Sequence, residues 1–530
     1  MAGALLALVA LLAYASTPFN FWVGDDYNYL VPKDIGRVIS FFDPTVPTRA
    51  FYRPINWTTW AIDYALWGPV PFGWHITSMV FHVVTTLVVA LLAWRLLLRL
   101  PRSQAEPAQA LPIHFAHPSP EASVAERPLW SPGYREVSSA AVLAGALFAV
   151  HPSHPEAVTF IGGRADLVCG LFYFPAVLLF VVYLQRRMEG KPAGLFYVLA
   201  FLMAVGALLS KEAGVTLPLA LLITDLCFFP SPRHESLTGR WWLRLRPHLP
   251  FLMLIAGYGF MRYYLVAAGV VTNTYAGPSM LTPQQLLDAT TSNILLFVGV
   301  WGAPFMVPGL PTGVKLMVIA GAVAASVLAV KWIGRPATYC LLWMALTLMP
   351  TANLSALRWL YIPSWGVCLL AALVAVRLMA VSYEWRSTAL TRLGHAFAIA
   401  VLALWGLGVV YQNVLWYRAG EEARSILTQI RNLLPDTDGP VNIYFAGAPS
   451  NYDTVLLFNT GLPAAMSFVS ESGNVKLHEL DQPLPDPVVG DALSNPPRLR
   501  PNAVFMGYRE GRVYRYSSLE QLLQAGIGKH

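Results

Sequence analysis

Long runs of apolar residues recur along the chain and are separated by short polar segments. Most of these runs are long enough, as helices, to cross about 30 Å of hydrocarbon, and two shorter ones, at 138–150 and 337–350, also predict spans. The others lie at 3–22, 73–98, 165–185, 194–210, 213–229, 249–270, 313–331, 360–380 and 394–416. The pattern predicts an all-α polytopic membrane protein with about eleven transmembrane helices.

Basic residues cluster at alternate ends of these runs, and such clusters are typical of cytoplasmic loops. They follow predicted spans at 95–102, 186–191 and 233–246. The N terminus is therefore expected in the cytoplasm and the C terminus outside it. This orientation requires residues 271–312, which several prolines interrupt, to form an extracytoplasmic or re-entrant segment that does not fully cross.

Three regions depart from the apolar pattern. The segment 101–137 is rich in Pro, Ala, Ser and Glu, and we expect a disordered cytoplasmic loop. The first extracytoplasmic loop, 23–72, contains helix-like segments at 34–42 and 54–66. After a transmembrane domain at 1–417, the segment 418–530 predicts a small extracytoplasmic α/β domain. Its predicted elements are a helix at 418–434, a strand at 441–446, a helix at 452–460 and a hairpin at 503–516.

The composition excludes a soluble globular protein. Of the 530 residues 56% are hydrophobic and only 12% are charged, whereas soluble domains carry roughly a quarter charged residues. The net charge of +7 is explained by basic loops, so no nucleic-acid partner is expected. The cysteines lie within or beside apolar segments and have no spacing that suits zinc or a disulfide framework. They are Cys169, Cys227, Cys340 and Cys368.

Charged residues that do not serve orientation gather on the predicted outer side. Charge near a bilayer is costly, so these residues call for a functional hypothesis. They come from loops that are distant in sequence, and we expect them to line one cleft between helices. They are Asp25, Asp26, His151, His154, Glu156, Arg164, Asp166, Lys211, Glu212 and Arg358.

The adjacent carboxylates Asp25 and Asp26 have two explanations. Carboxylates favour helix N-termini, so they could cap a helix that starts near Tyr27. Two adjacent carboxylates in an apolar setting also repel each other, which raises the pKa of one of them and suits a general base.

The neighbouring basic residues also have structural explanations. Lys211 and Glu212 could form a simple interfacial ion pair. Arg53 and Arg358 could anchor in an aromatic belt at the membrane surface.

Several motifs, in this order, resemble one family of membrane glycosyltransferases. They are GDDY at 24–27, FYRP at 51–54, DYALWG at 63–68, HPSHPEAV at 151–158, GRADL at 163–167, LSKEAG at 209–214 and LYIPS at 360–364. Together they resemble C-type (GT-C) polytopic glycosyltransferases, in particular the transmembrane O-mannosyltransferases with tetratricopeptide repeats and their bacterial relatives. The resemblance covers roughly residues 15–420. This sequence departs from the family after the last span, where no helical repeat of about 34 residues follows.

The resemblance implies a GT-C fold and transfer of a sugar, mannose by family default, from a polyprenyl-phosphate donor. The acceptor would be a hydroxyl of a protein or glycan at the extracytoplasmic face of a bacterial inner membrane. Direct displacement would invert the anomeric carbon. An acidic residue of the first outer loop, Asp25 or Asp26, would be the catalytic base.

The departing lipid phosphate needs cations, and Arg is well shaped for its oxygens. The first candidates are Arg164, Lys211 and Arg358, followed by Arg53 and His154. The supporting residues would be Glu212, His151, Glu156, Asp166 and Tyr361. The acidic pair could also hold a divalent cation such as Mg²⁺ or Mn²⁺, although no spacing requires one.

Two other functions remain open. A transporter or flippase of a lipid-linked anion would use the same cations without a base, but it would place charges at mid-span, where these spans have almost none. An inactive scaffold protein with this fold would bind through its C-terminal domain. In an enzyme, that domain would recruit the acceptor or cover the active site.

Overall fold

The computed structural model describes residues 1–30, 35–44, 51–100, 132–230, 236–267, 312–349, 356–384, 388–435, 439–458, 461–470, 474–480 and 499–525. Most of the expected disordered loop at 101–137 and of the re-entrant segment at 271–312 lies outside these residues. Only the last residues of each are described, and there they already belong to helices.

The described chain is mostly helical, and each apolar run predicted to span coincides with a helix. The helices in the first part of the chain are α1 (Ala2–Ala13), α2 (Asp26–Tyr29), α3 (Pro54–Trp67), α4 (Pro71–Leu97), α5 (Tyr134–Ala149), α6 (Pro155–Val158), α7 (Arg164–Met188), α8 (Gly194–Ser210) and α9 (Leu217–Phe228). They are followed by α10 (Leu237–Leu245), α11 (Leu249–Ala267), α12 (Thr312–Ile333), α13 (Arg335–Leu348), α14 (Ser364–Glu384) and α15 (Thr388–Asn432). Short 3₁₀ helices include Ile35–Phe42, Glu212–Thr216 and Leu357–Leu360.

Five helical stretches among the described residues are long and apolar enough to cross a bilayer. They are Ala2–Phe19, Pro71–Leu97, Arg164–Met188, Ser364–Val381 and Thr388–Asn432. Shorter apolar helices lie at Gly194–Ser210 and Ala320–Ile333. The chain is therefore an integral membrane protein, while the total of about eleven crossings stays a prediction.

Small residues bring the central helices close together. The helix α4 packs against both α5 and α7, and a Cβ atom built on Gly145 of α5 would lie 2.7 Å from the Cβ of Ala90. Such close approach is typical of helix packing in membranes, where no hydrophobic effect drives helices together. The tight bundle gives a fixed frame for the loops at its ends.

The first loop is folded, as predicted. Its helix-like segments at 34–42 and 54–66 correspond to the 3₁₀ helix Ile35–Phe42 and to α3. The ring of Tyr29 in α2 stacks on Trp60 of α3, with centroids 3.8 Å apart. This contact ties the acidic residues of α2 to the rest of the loop.

A small C-terminal sheet follows the helical bundle. Its strands are β1 (Val441–Ala446), β4 (Val475–Glu479), β5 (Ala503–Arg509) and β6 (Arg512–Tyr516), in the order β4-β1-β5-β6. The first three strands in that order run parallel, and β5 and β6 form the predicted antiparallel hairpin. Two short helices, α16 (Leu462–Val469) and α17 (Leu519–Gln524), complete the unit.

The helix predicted at 452–460 is wrong. The structure has a small hairpin there, in which β2 (Asn451–Tyr452) pairs with β3 (Val455–Leu456). Asp453 lies in the turn with φ of 54°, a left-handed conformation that Asp tolerates better than most residues. The tight turn, rather than the apolar spacing, determines the local structure.

The last span and the predicted amphipathic helix at 418–434 form one continuous helix, α15. The boundary expected between 417 and 418 therefore lies inside a helix. No proline interrupts this stretch, and Gly420 allows the backbone of Phe21 to approach, because an added Cβ would lie 2.9 Å from the Phe21 nitrogen. The last span thus continues without a break into the helical segment that packs against the C-terminal unit.

The C-terminal unit packs directly on the first loop. The N–H of Gly24 donates to the carbonyl of Leu457 at 2.7 Å, and the ring of Tyr27 stacks on Phe458. Residues of both regions belong to one buried apolar cluster. The unit therefore covers the turn that carries Asp25 and Asp26.

Candidate active site

The acidic pair, Asp25 and Asp26, lies at a turn where the chain enters α2. The side chain of Asp26 is buried; its Oδ1 accepts the N–H of Gly162 at 2.8 Å, and its Oδ2 accepts the N–H of Val23 at 3.2 Å. Asp25 is half-buried and occupies the N-cap position, but its side chain makes no capping hydrogen bond. Helix capping therefore does not explain Asp25, and Asp26 joins the turn to a loop far away in sequence.

The two carboxylates have different environments. Burial raises the pKa of Asp26 to about 8, and the negative charge of Asp25 contributes to this rise. The two backbone N–H groups have the opposite effect and lower the pKa. Asp26 is thus mostly protonated at neutral pH, and both of its oxygens accept backbone N–H groups. Asp25 is the more exposed of the two carboxylates.

Two cations of the site are held by carboxylates from other elements. Nη2 of Arg53 lies 2.6 Å from Oε2 of Glu212, and Nζ of Lys211 lies 2.5 Å from Oδ2 of Asp166. Lys211 is extended, with φ of −162° and ψ of 151°, so it and the next residue point in different directions. Lys211 and Glu212 therefore pair with separate partners rather than with each other.

Arg358 connects these ion pairs to the acidic pair. Its guanidinium and its backbone N–H both donate to Glu156, and its Nε lies 3.9 Å from Oδ2 of Asp166. Burial alone would lower the pKa of Arg358. The nearby carboxylates of Glu156, Asp166 and Asp25 raise this pKa by more, so that it lies above its usual value. Asp25 therefore acts on Arg358 across the site. Arg53, Lys211 and Arg358 are called the cation cluster below.

Lys211 is the member of the cation cluster whose charge is easiest to remove. Burial lowers its pKa to about 8; Asp166 opposes this change, whereas the positive charges of Arg53 and Arg358 contribute to it. The ammonium is thus charged at neutral pH and loses its proton in mildly alkaline solution.

Arg164, the first candidate for binding phosphate, is sealed inside the protein. Its three nitrogens donate to Ser78 Oγ, to a carboxylate oxygen of Asp63 and to the carbonyl of Trp74. The side chain has no exposed surface. In this structure Arg164 therefore positions the start of α7 and has no free nitrogen to offer a phosphate. Sequence reasoning missed its partner Asp63, although Asp63 opens the DYALWG motif.

Three further candidates, His151, His154 and Tyr361, also have no surface that could contact substrate. All three are fully buried. Nε2 of His154 is 2.8 Å from Oγ of Ser364, and the hydroxyl of Tyr361 is 2.9 Å from Nδ1 of His82. Burial, together with neighbouring histidines, lowers the pKa of His154 well below its usual value. His154 is therefore neutral and has no positive charge to offer a phosphate.

Tyr29 is a residue of the site that sequence reasoning missed. Burial raises the pKa of its hydroxyl; both members of the acidic pair raise it further, whereas Arg53 and Arg358 lower it. Its side chain therefore lies within electrostatic range of both the acidic pair and the cation cluster. The only signal in the sequence is its position in α2, three residues after Asp26.

No convergent metal site is evident in the described parts of the chain. No group of three or more His, Cys, Asp or Glu side chains comes together there with metal-binding geometry. Asp25 and Asp26 are the only predicted metal ligands, and both oxygens of Asp26 already accept backbone N–H groups.

Comparison with known proteins gives relatives of one kind. The protein O-mannosyl-transferase Tmtc1 of Drosophila melanogaster is 31% identical over 181 residues, which are 34% of this chain and 16% of the relative. Tmtc3 of Drosophila melanogaster is 25% identical over 386 residues, 61% of this chain and 39% of the relative. TMTC4 of Homo sapiens is 32% identical over 170 residues, 31% of this chain and 19% of the relative. The chain thus spans well under half the length of these relatives.

Comparison with solved structures gives matches of low overall similarity. ArnT from Cupriavidus metallidurans bound to undecaprenyl phosphate gives a TM-score of 0.49 at 13% identity and covers 96% of each chain. The oligosaccharyltransferase AglB from Archaeoglobus fulgidus gives a TM-score of 0.43 at 14% identity, covering 90% of this chain and 69% of its own. No family model matches the chain. The resemblance predicted from the motifs is nevertheless confirmed by the sequence matches, and the chain is similar to the transmembrane O-mannosyltransferases.

Proposed function

We propose that this chain is a membrane glycosyltransferase that transfers a sugar, mannose by similarity to its relatives, from a polyprenyl-phosphate donor to an acceptor hydroxyl. The acceptor would be a protein or a glycan. The observation that carries the proposal is that the half-buried carboxylate of Asp25 lies within electrostatic range of Arg358, a part-exposed member of the cation cluster. The similarity to proteins named O-mannosyl-transferases supports the choice of reaction.

The cation cluster binds the phosphate that links the sugar to its lipid. The side chain of Arg358 is 23% exposed, and its ion pair with Glu156 uses Nη1, so other N–H groups of the guanidinium are available to phosphate oxygens. Hydrogen bonds from a cation to phosphate are stronger than those between neutral groups. As the bond from the anomeric carbon to the phosphate oxygen breaks, these cations stabilise the charge that develops on that oxygen.

Asp25 acts as the base on the other side of the sugar. It accepts the proton of the acceptor hydroxyl while the hydroxyl oxygen attacks the anomeric carbon, and the lipid phosphate leaves with the bonding electrons. A single displacement of this kind inverts the anomeric configuration. Asp26 holds the turn in place through its hydrogen bonds to Val23 and Gly162.

A divalent cation is compatible with this arrangement. Asp25 is half-buried next to the engaged Asp26, so it could supply one ligand to Mg²⁺ or Mn²⁺, ions that often bind through one or two carboxylates and substrate phosphates. Such an ion would add positive charge near the leaving phosphate. A chelator test, with transfer restored by Mg²⁺ or Mn²⁺, determines whether the ion is required.

The site would face the outside of a bacterial inner membrane, with the N terminus in the cytoplasm. The acidic pair and the C-terminal unit lie at the same end of the bundle. Basic residues at the other ends of α4 and α7, including Arg95, Arg99, Arg186 and Arg187, are typical of the cytoplasmic side.

The proposal is tested with purified full-length protein and a labelled sugar on a short-chain polyprenyl phosphate. Wild type should release the sugar to acceptor or water. Asp25→Asn keeps the size of the side chain and removes the base, so transfer should fall by about 100-fold or more, with donor binding retained. Asp26→Asn should lower thermal stability and retain more transfer than Asp25→Asn, since Asp26 acts through backbone hydrogen bonds.

Other outcomes would contradict the proposal. If wild type binds the donor and never consumes it with any acceptor tried, transport or an inactive scaffold becomes the better hypothesis. If Asp26→Asn loses transfer while Asp25→Asn retains it, the base is misassigned.

A further inference from the structure

One face of α3 runs along the interior of the site. Asn56, Trp60 and Asp63 are spaced by four and three residues, which places them on one side of α3, and Arg53 immediately precedes this helix. Arg53 binds Glu212, Trp60 stacks on Tyr29, and Asp63 binds Arg164. Asn56 therefore lies between Arg53, a member of the cation cluster, and the stacked rings of Tyr29 and Trp60.

Asn56 is, with Asn20, one of two buried asparagines in the described chain whose side-chain amide is unpaired. It is 1% exposed, and within the described parts of the chain neither its amide nitrogen nor its amide oxygen has a hydrogen-bond partner. Buried polar groups are nearly always paired, because an unpaired one loses its hydration without compensation.

Asn413 shows how this fold satisfies a buried asparagine. It is 2% exposed; its Oδ1 accepts from Thr159 Oγ1 at 3.1 Å, and its Nδ2 donates to the carbonyl of Ala13 at 2.9 Å. Asn56 has the same burial and no such contacts. The hydrogen-bonding capacity of its side chain is therefore unused within the described chain.

The position of Asn56 identifies the part of the substrate that it would meet. In the proposed reaction the sugar lies between the base and the leaving phosphate, and Asn56 lies on the helix face that connects these two regions. An amide offers donors and an acceptor together, which match two neighbouring hydroxyl groups of a sugar ring. The adjacent rings of Tyr29 and Trp60 offer a flat apolar surface, which suits the C–H face of a pyranose.

We propose that Asn56, together with the ring pair Tyr29 and Trp60, forms the subsite that binds the hydroxyl groups of the transferred hexose. This inference rests on the proposed function and adds the residue that selects the sugar. Asn56 is a specificity residue in this scheme, since it contacts the sugar without taking part in proton transfer.

The test measures binding of two probes to full-length protein: short-chain polyprenyl phosphate, and the same lipid phosphate carrying mannose. Wild type should bind the mannose-bearing lipid more tightly. Asn56→Ala should weaken binding of that probe by about tenfold, the value of one or two hydrogen bonds, and leave binding of the bare phosphate unchanged. Its melting temperature should not fall, because no internal hydrogen bond is lost.

Asn413→Ala is the matched control. It removes an equally buried asparagine that has internal partners, so its melting temperature should fall while its affinities for both probes stay as in wild type. A donor whose sugar lacks one hydroxyl supplies a second readout. Wild type should discriminate against at least one such analogue, and Asn56→Ala should lose that discrimination.

Two results would overturn the inference while the proposed function stands. One is an equal loss of affinity for both probes in Asn56→Ala; the other is unchanged binding of the mannose-bearing lipid together with unchanged discrimination. If wild type binds neither probe, the proposed function fails as well. The bare lipid phosphate therefore separates failure of the sugar subsite from failure of the enzyme hypothesis.

Discussion

Charged residues are buried at two ends of the same helix, with different consequences. Lys211 and Glu212 lie at the start of the 3₁₀ helix Glu212–Thr216, which leads into α9. Asp225 lies near the other end of α9, about 12 Å along the axis from Leu217 at 1.5 Å per residue. There, Asp225 binds Arg244 and His248. Both groups contain acids and bases in ion pairs, so burial of charge does not by itself mark the site.

The two groups differ in access and in how completely they are satisfied. The guanidinium of Arg244 donates to both carboxylate oxygens of Asp225 and to two backbone carbonyls, and the pair is only 6–8% exposed. Arg53 and Arg358 are more exposed and lie within electrostatic range of Asp25 or of Tyr29 beside it. A cation whose contacts are all internal stabilises the fold, whereas one with accessible N–H groups can bind an anion.

The same distinction holds within the candidate site. Arg164 has every nitrogen engaged and no exposed surface, whereas the side chain of Arg358 is 23% exposed. We therefore assign Arg164 and Asp63 to the frame of the site and the more exposed Arg53 and Arg358 to substrate.

The largest predicted effect concerns the fully buried ion pair of Asp63 and Arg164. Asp63→Asn leaves the Arg164 guanidinium buried without its counter-charge, which should lower the free energy of unfolding by about 3–5 kcal/mol. Thermal unfolding of the purified protein measures this loss. Glu212→Gln removes the partner of an accessible cation and should cost about 1 kcal/mol or less. Equal losses in the two variants would remove the distinction between frame and site.

A second prediction uses the pH dependence of the cation cluster. Burial lowers the pKa of Lys211 to about 8, so its charge is present below that pH and is lost as the pH rises through it. Binding of the sugar-bearing donor, whose phosphodiester keeps its charge, should weaken by about tenfold between pH 7 and 9.5. Lys211→Arg keeps the charge and should abolish this dependence. An identical pH profile in the variant would exclude Lys211 from phosphate binding.

The smallest effect tests the contact between the C-terminal unit and the acidic turn. A Cβ added to Gly461 would lie 1.9 Å from the carbonyl oxygen of Gly24, so Gly461→Ala should shift the turn that carries Asp25. A displacement of about 1 Å is enough to lower kcat by tenfold or more, while donor affinity should change little. Gly406→Ala, where an added Cβ meets nothing within 4 Å, is the control. Unchanged kcat in Gly461→Ala would mean that the unit does not position the base.

The sequence was sufficient to predict the apolar helices and the β5–β6 hairpin, but not the short helices α10, α16 and α17. An apolar run of span length identifies itself through its own residues, and the hairpin has a Glu510-Gly511 turn between alternating strands. The helix expected at 452–460 failed because a turn at Asp453 outweighed the local spacing. Continuity of α15 across 417 and 418 was also missed, since a change from apolar to amphipathic composition need not end a helix.

The candidate site was predictable as a set of residues but not as a set of pairs. The placement of charged residues on the predicted outer side identified Asp166, Lys211, Glu212 and Arg358, which the structure brings together. Partner choice depends on three-dimensional contacts such as that between Arg164 and Asp63, which are 101 positions apart. The fully buried His154 looked like a ligand because burial cannot be deduced from a polar residue type. Asn56 and Tyr29 carry no charge, so a search for costly charges passed over them.

The most direct test compares one cation from each buried group. Affinity for short-chain polyprenyl phosphate is measured, per folded molecule, for wild type, Arg358→Gln and Arg244→Gln. Arg358→Gln should weaken binding by about 10- to 100-fold, as expected for the loss of a charge-assisted hydrogen bond, whereas Arg244→Gln should bind like wild type. Unchanged affinity in Arg358→Gln, or an equal loss in both variants, would contradict the assignment of the cation cluster as the phosphate site.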